Sequence, residues 1–220
     1  MGTRIRIKVC CISSIDEAMT AVRLGTDALG FVSHMPSGPG VIDEGLICDI
    51  VARVPPPIAT FLLTSYQDTD AIIEQQRRCG VNTLQLVDTL PEGSHAKLRK
   101  ALPGVSIVQV FHVCDDGVIE EARAIEHAVD GLLLDSGNPS LSVKELGGTG
   151  RIHNWEISRR LIERLTVPVF LAGGITQQNA AQAIAATRPF GLDLCSGVRT
   201  DDQLDPDKLS AFMATVDAAA

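Results

Sequence analysis

Eight short runs rich in Val, Ile, Leu and Phe recur along this chain, and a segment long enough for an amphipathic helix separates most neighbours. They lie at about residues 4–10, 27–32, 58–63, 82–87, 106–113, 130–135, 167–171 and 191–195. Strands joined through helix-length connections cross over and lie parallel. Eight such units in 220 residues predict a closed (β/α)8 TIM barrel, an α/β fold at the small end of its size range, with residues 1–220 as a single domain. An open doubly wound sheet is the alternative arrangement.

Local signals agree with this frame. Ser14 is a good N-cap with Glu17 three positions on, and Gly25 ends the helix that follows. Pro36, Gly38, Pro39 and Gly40 form the loop after the second strand and lead to a helix running through Cys48 and Arg53. The net charge of −8, with no stretch rich in Lys or Arg, argues against nucleic acid or an acidic membrane surface as a partner. No apolar segment reaches the roughly 20 residues needed to cross a bilayer. The cysteines Cys10, Cys11, Cys48, Cys79, Cys114 and Cys195 lack the paired spacing of a zinc site, and the N-terminus does not read as a signal peptide. A cytoplasmic protein with free thiols is expected.

Alternation along a strand decides which side chains can reach a site. In the first run Ile5, Ile7 and Val9 share one face and Arg4, Arg6, Lys8 and Cys10 the other. The apolar face must meet the helices, so Cys10 points into the barrel at the C-terminal tip, where barrel active sites are built. Leu133 and Asp135 face inward by the same rule, and so do Gly191, Asp193 and Cys195. An inward charge needs a partner, and the eighth strand neighbours the first in a closed barrel. A Lys8–Asp193 or Arg6–Asp193 pair is expected.

Two inward strand tips therefore carry proton-transfer groups, Cys10 and Asp135. Glycine-rich turns follow the late strands: Gly147-Gly148-Thr149-Gly150, Gly173-Gly174 and Ser196-Gly197. Glycine lets backbone approach an anion closely, and barrels commonly hold phosphate on the loops after strands 7 and 8. An acid–base isomerase of a sugar phosphate is the expectation.

At these motifs the chain resembles the phosphoribosylanthranilate isomerase family of tryptophan biosynthesis. The resemblance rests on Lys8-Val9-Cys10 with Ile12, the stretch from Gly25 to Val32, Gln85-Leu86, Leu132-Leu133-Leu134-Asp135, Gly147 to Gly150 with Trp155, Leu171-Ala172-Gly173-Gly174, and Asp193 through Ser196-Gly197-Val198. It implies an aldose–ketose isomerase that performs an Amadori rearrangement on a phosphoribosyl amine. Asp135 would protonate the ring oxygen and Cys10 remove the proton at sugar C2, with no metal or organic cofactor. Gly148, Gly173, Gly174, Ser196 and Gly197 would bind phosphate, and Lys8, Gln85 and Arg199 are possible substrate contacts. The partner would be a small sugar phosphate, and the chain a monomer or a homodimer.

Three departures from the family pattern stand out. Cys10-Cys11 replaces Cys-Gly, and Gln85-Leu86-Val87-Asp88 replaces Gln-Leu-His-Gly. Gly38-Pro39-Gly40 stands where the family reads Ser-Pro-Arg, whose arginine is understood to grip the anthranilate carboxylate. Arg199 and Arg151 are the candidate replacements for that cation. Without one, a buried carboxylate would lose on the order of 2–5 kcal/mol. A related isomerase with a different amine, or a non-catalytic phosphate-ligand binding protein, would also fit this pattern. Cys11, Cys48, Cys79 and Cys114 read most simply as packing residues.

Overall fold

A computed structural model describes residues 4–138, 140–141, 143–147 and 150–219. The strands are β1 (Arg6–Val9), β2 (Ala28–Val32), β3 (Ala59–Thr64), β4 (Thr83–Leu86), β5 (Ser106–His112), β6 (Gly131–Asp135), β7 (Val169–Leu171) and β8 (Gly191–Leu194). Each pairs in parallel with the next and β8 returns to β1, closing the barrel and excluding the open sheet. The helices are α1 (Ile15–Arg23), α2 (Glu44–Val51), α3 (Thr69–Cys79), α4 (Ser94–Ala101), α5 (Gly117–Ile125), α6 (Trp155–Ile162), α7 (Ala180–Thr187) and α8 (Pro206–Ala219). A two-stranded ribbon, β9 (Arg199–Thr200) with β10 (Gln203–Leu204), precedes α8. Among the described residues no helix is long and apolar enough to cross a membrane.

The helix starts follow from capping chemistry. Ser14, Asp43, Asp68 and Asn154 each accept a hydrogen bond from a backbone N–H of the first turn they precede. At α1, Glu17 reaches back to the N–H of Ser13, one residue earlier than a capping box requires. Gly25, at φ 94°, turns the chain out of that helix in a conformation that costs a side-chain-bearing residue about 1–2 kcal/mol. The helix expected through Arg53 ends at Val51, because the chain must straighten toward the Pro55-Pro56-Pro57 run.

Alternation sorts the strand residues into two apolar layers. Ile5, Ile7, Val9, Leu29, Leu62, Leu84, Leu132 and Leu134 pack outward against the helices. Cys10, Ala28, Phe61, Leu63, Val108, Val110, Leu133 and Phe170 fill the barrel. Each fully buried aliphatic side chain contributes roughly 1.5–3 kcal/mol. Low in the barrel the Arg6 guanidinium stacks over Phe190, 5.7 Å from the ring centroid. Above it lies the Lys8–Asp193 pair, with the Lys8 ammonium 5.3 Å from the Phe61 centroid. The strand tips carry the next layer.

Candidate active site

Lys8 and Asp193 face one another because β1 and β8 pair in the register Lys8↔Asp193 and Val9↔Leu194. The Lys8 ammonium donates to Asp193 Oδ1 at 2.8 Å and the lysine is wholly buried. Burial pushes the ammonium toward its neutral form, but the charge of Asp193, and then that of Cys10, outweigh it and hold Lys8 above the ordinary lysine value. Of the two expected pairs this is the one formed, Arg6 being spent on Phe190 and on the carbonyl of Arg4. Lys8 was also a possible substrate contact; it lies beneath the cleft rather than along its lining, where it can act only through its charge.

One step up the pleat, the backbone N–H of Cys10 donates to the carbonyl of Leu194, so the β1 and β8 tips stay joined beyond the strands. Gly30 on β2 makes room for what lies between: a Cβ there would stand 2.9 Å from both Cys10 Sγ and Lys8 Nζ. Lys8 and the Cys10 sulfur therefore converge on the same small space. The Cys10 thiol is held below the ordinary cysteine range, first by the Cys11 thiol beside it, against burial, and then by the Lys8 charge, while Cys11 Sγ itself donates to the carbonyl of Pro39. Cys11 is the other half of this arrangement. Its thiol is pushed well above the ordinary range by the hydrogen bonds with Cys10 and Cys195 and by burial.

Cys11 corrects the expectation of a plain packing residue. Its φ of 63° lies in the left-handed region, which swings its side chain into the cleft instead of continuing the strand's alternation. Its Sγ lies 2.7 Å from Cys195 Sγ. A Cβ at Gly40 would stand 2.5 Å from the Cys11 Cβ and 3.0 Å from its Sγ, and Gly40 itself has φ 80°. A side chain at position 40 and a cysteine at position 11 thus exclude one another, which links two of the three departures physically. Cys48 and Cys114 are exposed rather than packed, and Cys79 is buried as expected.

Cys10, Cys11, Gln85, Asp135, Gly173, Gly174, Asp193, Cys195 and Ser196 line one cleft at the C-terminal mouth. Asp135 ends β6, and its Oδ1 accepts from the backbone N–H of Ser136 at 2.7 Å. A Cβ at Gly147 would fall 2.3 Å from Asp135 Oδ2, so only glycine lets that loop close over the carboxyl group. Gln85 on β4 is 3% exposed and its Oε1 has no hydrogen-bond partner among the described residues. A buried amide left open toward a cleft is a ready contact for a hydroxyl.

The glycine turns meet backbone to backbone. A Cβ at Gly174 would stand 2.9 Å from the carbonyl oxygen of Gly150 and from the carbonyl carbon of Arg151, and one at Gly197 would stand 2.3 Å from the carbonyl oxygen of Ile175. Gly173 and Gly174 take φ of 79° and 62°. Glycine is required here for close approach and for backbone geometry alike. Gly148 and Thr149 lie outside the described residues.

Arg199 does not line the cleft. It pairs with both carboxylate oxygens of Glu17, at 3.1 and 3.0 Å, and donates to the carbonyls of Cys11 and Asp202. It is a strut beneath the β1 tip rather than a substrate cation. Arg151 pairs with Glu145. Asp88 is bound by Lys144 at 2.5 Å, and the Lys144 carbonyl is held by Ser37 Oγ at 2.8 Å, so the loops after β2, β4 and β6 are tied together at the rim. Among the described residues no group of three His, Cys, Asp or Glu is arranged to hold a metal ion.

Comparison with known proteins agrees with this fold. A family model described as N-(5'phosphoribosyl)anthranilate (PRA) isomerase matches residues 7–215. N-(5'-phosphoribosyl)anthranilate isomerase 2 of Methanosarcina mazei is 36% identical over 196 residues, 89% of this chain and 86% of the relative. A phosphoribosyl anthranilate isomerase solved in complex with reduced 1-(o-carboxyphenylamino)-1-deoxyribulose 5-phosphate superposes with a TM-score of 0.81 at 22% identity, covering 97% of this chain and 99% of that one. The phosphoribosyl anthranilate isomerase of Thermus thermophilus gives 0.83 at 24% identity, over 98% and 100%. With its barrel and nearly its whole length matched, the chain belongs to the N-(5'-phosphoribosyl)anthranilate isomerase family.

Proposed function

We propose that this chain isomerises N-(5'-phosphoribosyl)anthranilate to the corresponding aminodeoxyribulose phosphate, with Asp135 as general acid and Cys10 as general base. The observation that carries the assignment is that a thiol held toward its thiolate and a carboxyl group from the β6 strand line one cleft, beside converging glycine turns. Asp135 gives a proton to the ring oxygen as the C1–O bond breaks, leaving a Schiff base. The Cys10 thiolate takes the proton from C2, the electrons move to nitrogen, and the enolamine tautomerises to the ketone. C1 is reduced as C2 is oxidised, so the reaction exchanges no electrons with a cofactor.

Backbone N–H groups of Gly173, Gly174, Ser196 and Gly197 would hold the phosphate, and Gln85 would meet a sugar hydroxyl. Lys8 supports the base by its charge from beneath. Steady-state turnover of N-(5'-phosphoribosyl)anthranilate, followed by the loss of anthranilate-type fluorescence, tests the reading. Cys10→Ser and Asp135→Asn are each expected to lose on the order of 10²–10⁴ in kcat. Wild-type turnover no greater than that of Cys10→Ser would refute it.

One observation favours a second reading. Among the described residues no Lys, Arg or His lines the cleft, so the anthranilate carboxylate has no fixed counter-charge there. The same acid and base would serve a phosphoribosyl amine lacking that carboxylate. Comparing kcat/KM for amines with and without a carboxylate separates the two, because a specific carboxylate contact would favour the anthranilate.

A further inference from the structure

The molecule carries a second sulfur arrangement that proton transfer does not use. Cys195 Sγ stands 2.7 Å from Cys11 Sγ. Uncharged carbon atoms rest about 3.5–4.0 Å apart, and sulfur is larger, so these two atoms sit well inside ordinary contact distance. The backbone explains the approach. Cys10 and Leu194 are hydrogen-bonded across the β1 and β8 tips, and the left-handed turn at Cys11 aims its side chain back across that seam. Arg199 fixes the Cys11 carbonyl, and Gly40 leaves the space that the Cys11 side chain fills. Both sulfurs line the cleft, with Cys195 the more exposed of the two.

We propose that Cys11 and Cys195 form a reversible disulfide at the mouth of the barrel, a site of oxidation by small hydroperoxides that enter the cleft. Cys195 attacks one peroxide oxygen, the O–O bond breaks, and the thiol proton leaves with the departing oxygen as water, giving a sulfenic acid. The Cys11 sulfur then attacks the Cys195 sulfur. The S–O bond breaks and the hydroxyl departs with the Cys11 proton as a second water. The two thiols lose two electrons and hydrogen peroxide gains them.

The bridge also acts on Cys10. Once bonded to Cys195, the Cys11 sulfur carries no proton, so the thiol beside Cys10 that helps hold Cys10 low is lost. This consequence rests on the acid–base assignment above only where activity is concerned; the bond itself does not.

The test uses the full chain, reduced and then exposed to dilute hydrogen peroxide, with free thiols blocked before digestion and tandem mass spectrometry. The expected result is a loss of about 2 Da per chain, two hydrogens, and one cross-link joining the peptide that carries Cys11 to the peptide that carries Cys195, reversed by dithiothreitol. The same cross-link should form in Cys10→Ser and be absent in Cys195→Ser and in Cys11→Ser. A linkage through Cys10, or oxidation of Cys195 to sulfinic acid while Cys11 stays open to alkylation, would overturn the proposal. Iodoacetamide labelling of Cys10 at neutral pH reads the coupling apart from turnover. It is expected to slow by about tenfold or more in the bridged protein. An unchanged labelling rate would remove the coupling to Cys10.

Discussion

Cys11→Ala removes the thiol beside Cys10, first among the groups that hold the Cys10 thiol low, while leaving Lys8, Asp193 and the backbone in place. The loss should raise the Cys10 thiol back toward the ordinary cysteine range, and an interaction with a charged group of this kind contributes about 1.5–3 kcal/mol, roughly 10- to 100-fold in an equilibrium. The sign is fixed by which form is active. The thiolate is the base, so a higher thiol pKa shifts the acid limb of the kcat/KM profile toward higher pH. On that limb activity should fall by about 10- to 100-fold at a given pH, and it should return toward wild type once the medium is alkaline enough to ionise Cys10. Cys11→Ser keeps a donor at the same place and should follow the wild-type profile to within about half a unit. The pH dependence of iodoacetamide labelling at Cys10 reads the same quantity without turnover. A Cys11→Ala profile that overlays wild type, or an equal shift in Ala and Ser, would refute the donor argument.

Three further outcomes are expected. Lys8→Met leaves Asp193 charged and unpaired in the barrel and should cost about 3–5 kcal/mol in urea unfolding, while Lys8→Met with Asp193→Leu recovers most of it. Gly40→Ala should cost about 1–2 kcal/mol for its positive φ and more for the clash with Cys11; Cys11→Gly should relieve only the clash, giving a coupling of about 1 kcal/mol in a double-mutant cycle. Burial holds His153 down to about 4 from an ordinary 6.5, with the Asp135 charge opposing it. The unfolded chain then protonates first, so stability should decline as pH falls from about 6.5 to 4, and His153→Gln should flatten that decline in chemical melts.

Strand positions were legible because a two-residue period and helix-length gaps leave little freedom in a parallel barrel. The Lys8–Asp193 pair followed from alternation plus closure, since β8 must lie beside β1. Cys11 escaped the same logic because alternation stops where the strand stops, and a φ of 63° cannot be read from the sequence. Arg199 misled for a different reason. A cation at a barrel mouth looks free until its partner is known, and Glu17 lies far away in sequence on α1. The absence of arginine at position 40 is visible in the sequence, but that the Cys11 side chain fills the space a side chain there would need is visible only in the fold.

A crystal structure with reduced 1-(o-carboxyphenylamino)-1-deoxyribulose 5-phosphate bound measures the central relationship most directly. The phosphate is expected on Gly173, Gly174 and Ser196, with the open sugar chain lying between Cys10 Sγ and the Asp135 carboxyl group, the sulfur within reach of C2. A ligand seated elsewhere, or one that touches only one of these two groups, would contradict the assignment of acid and base.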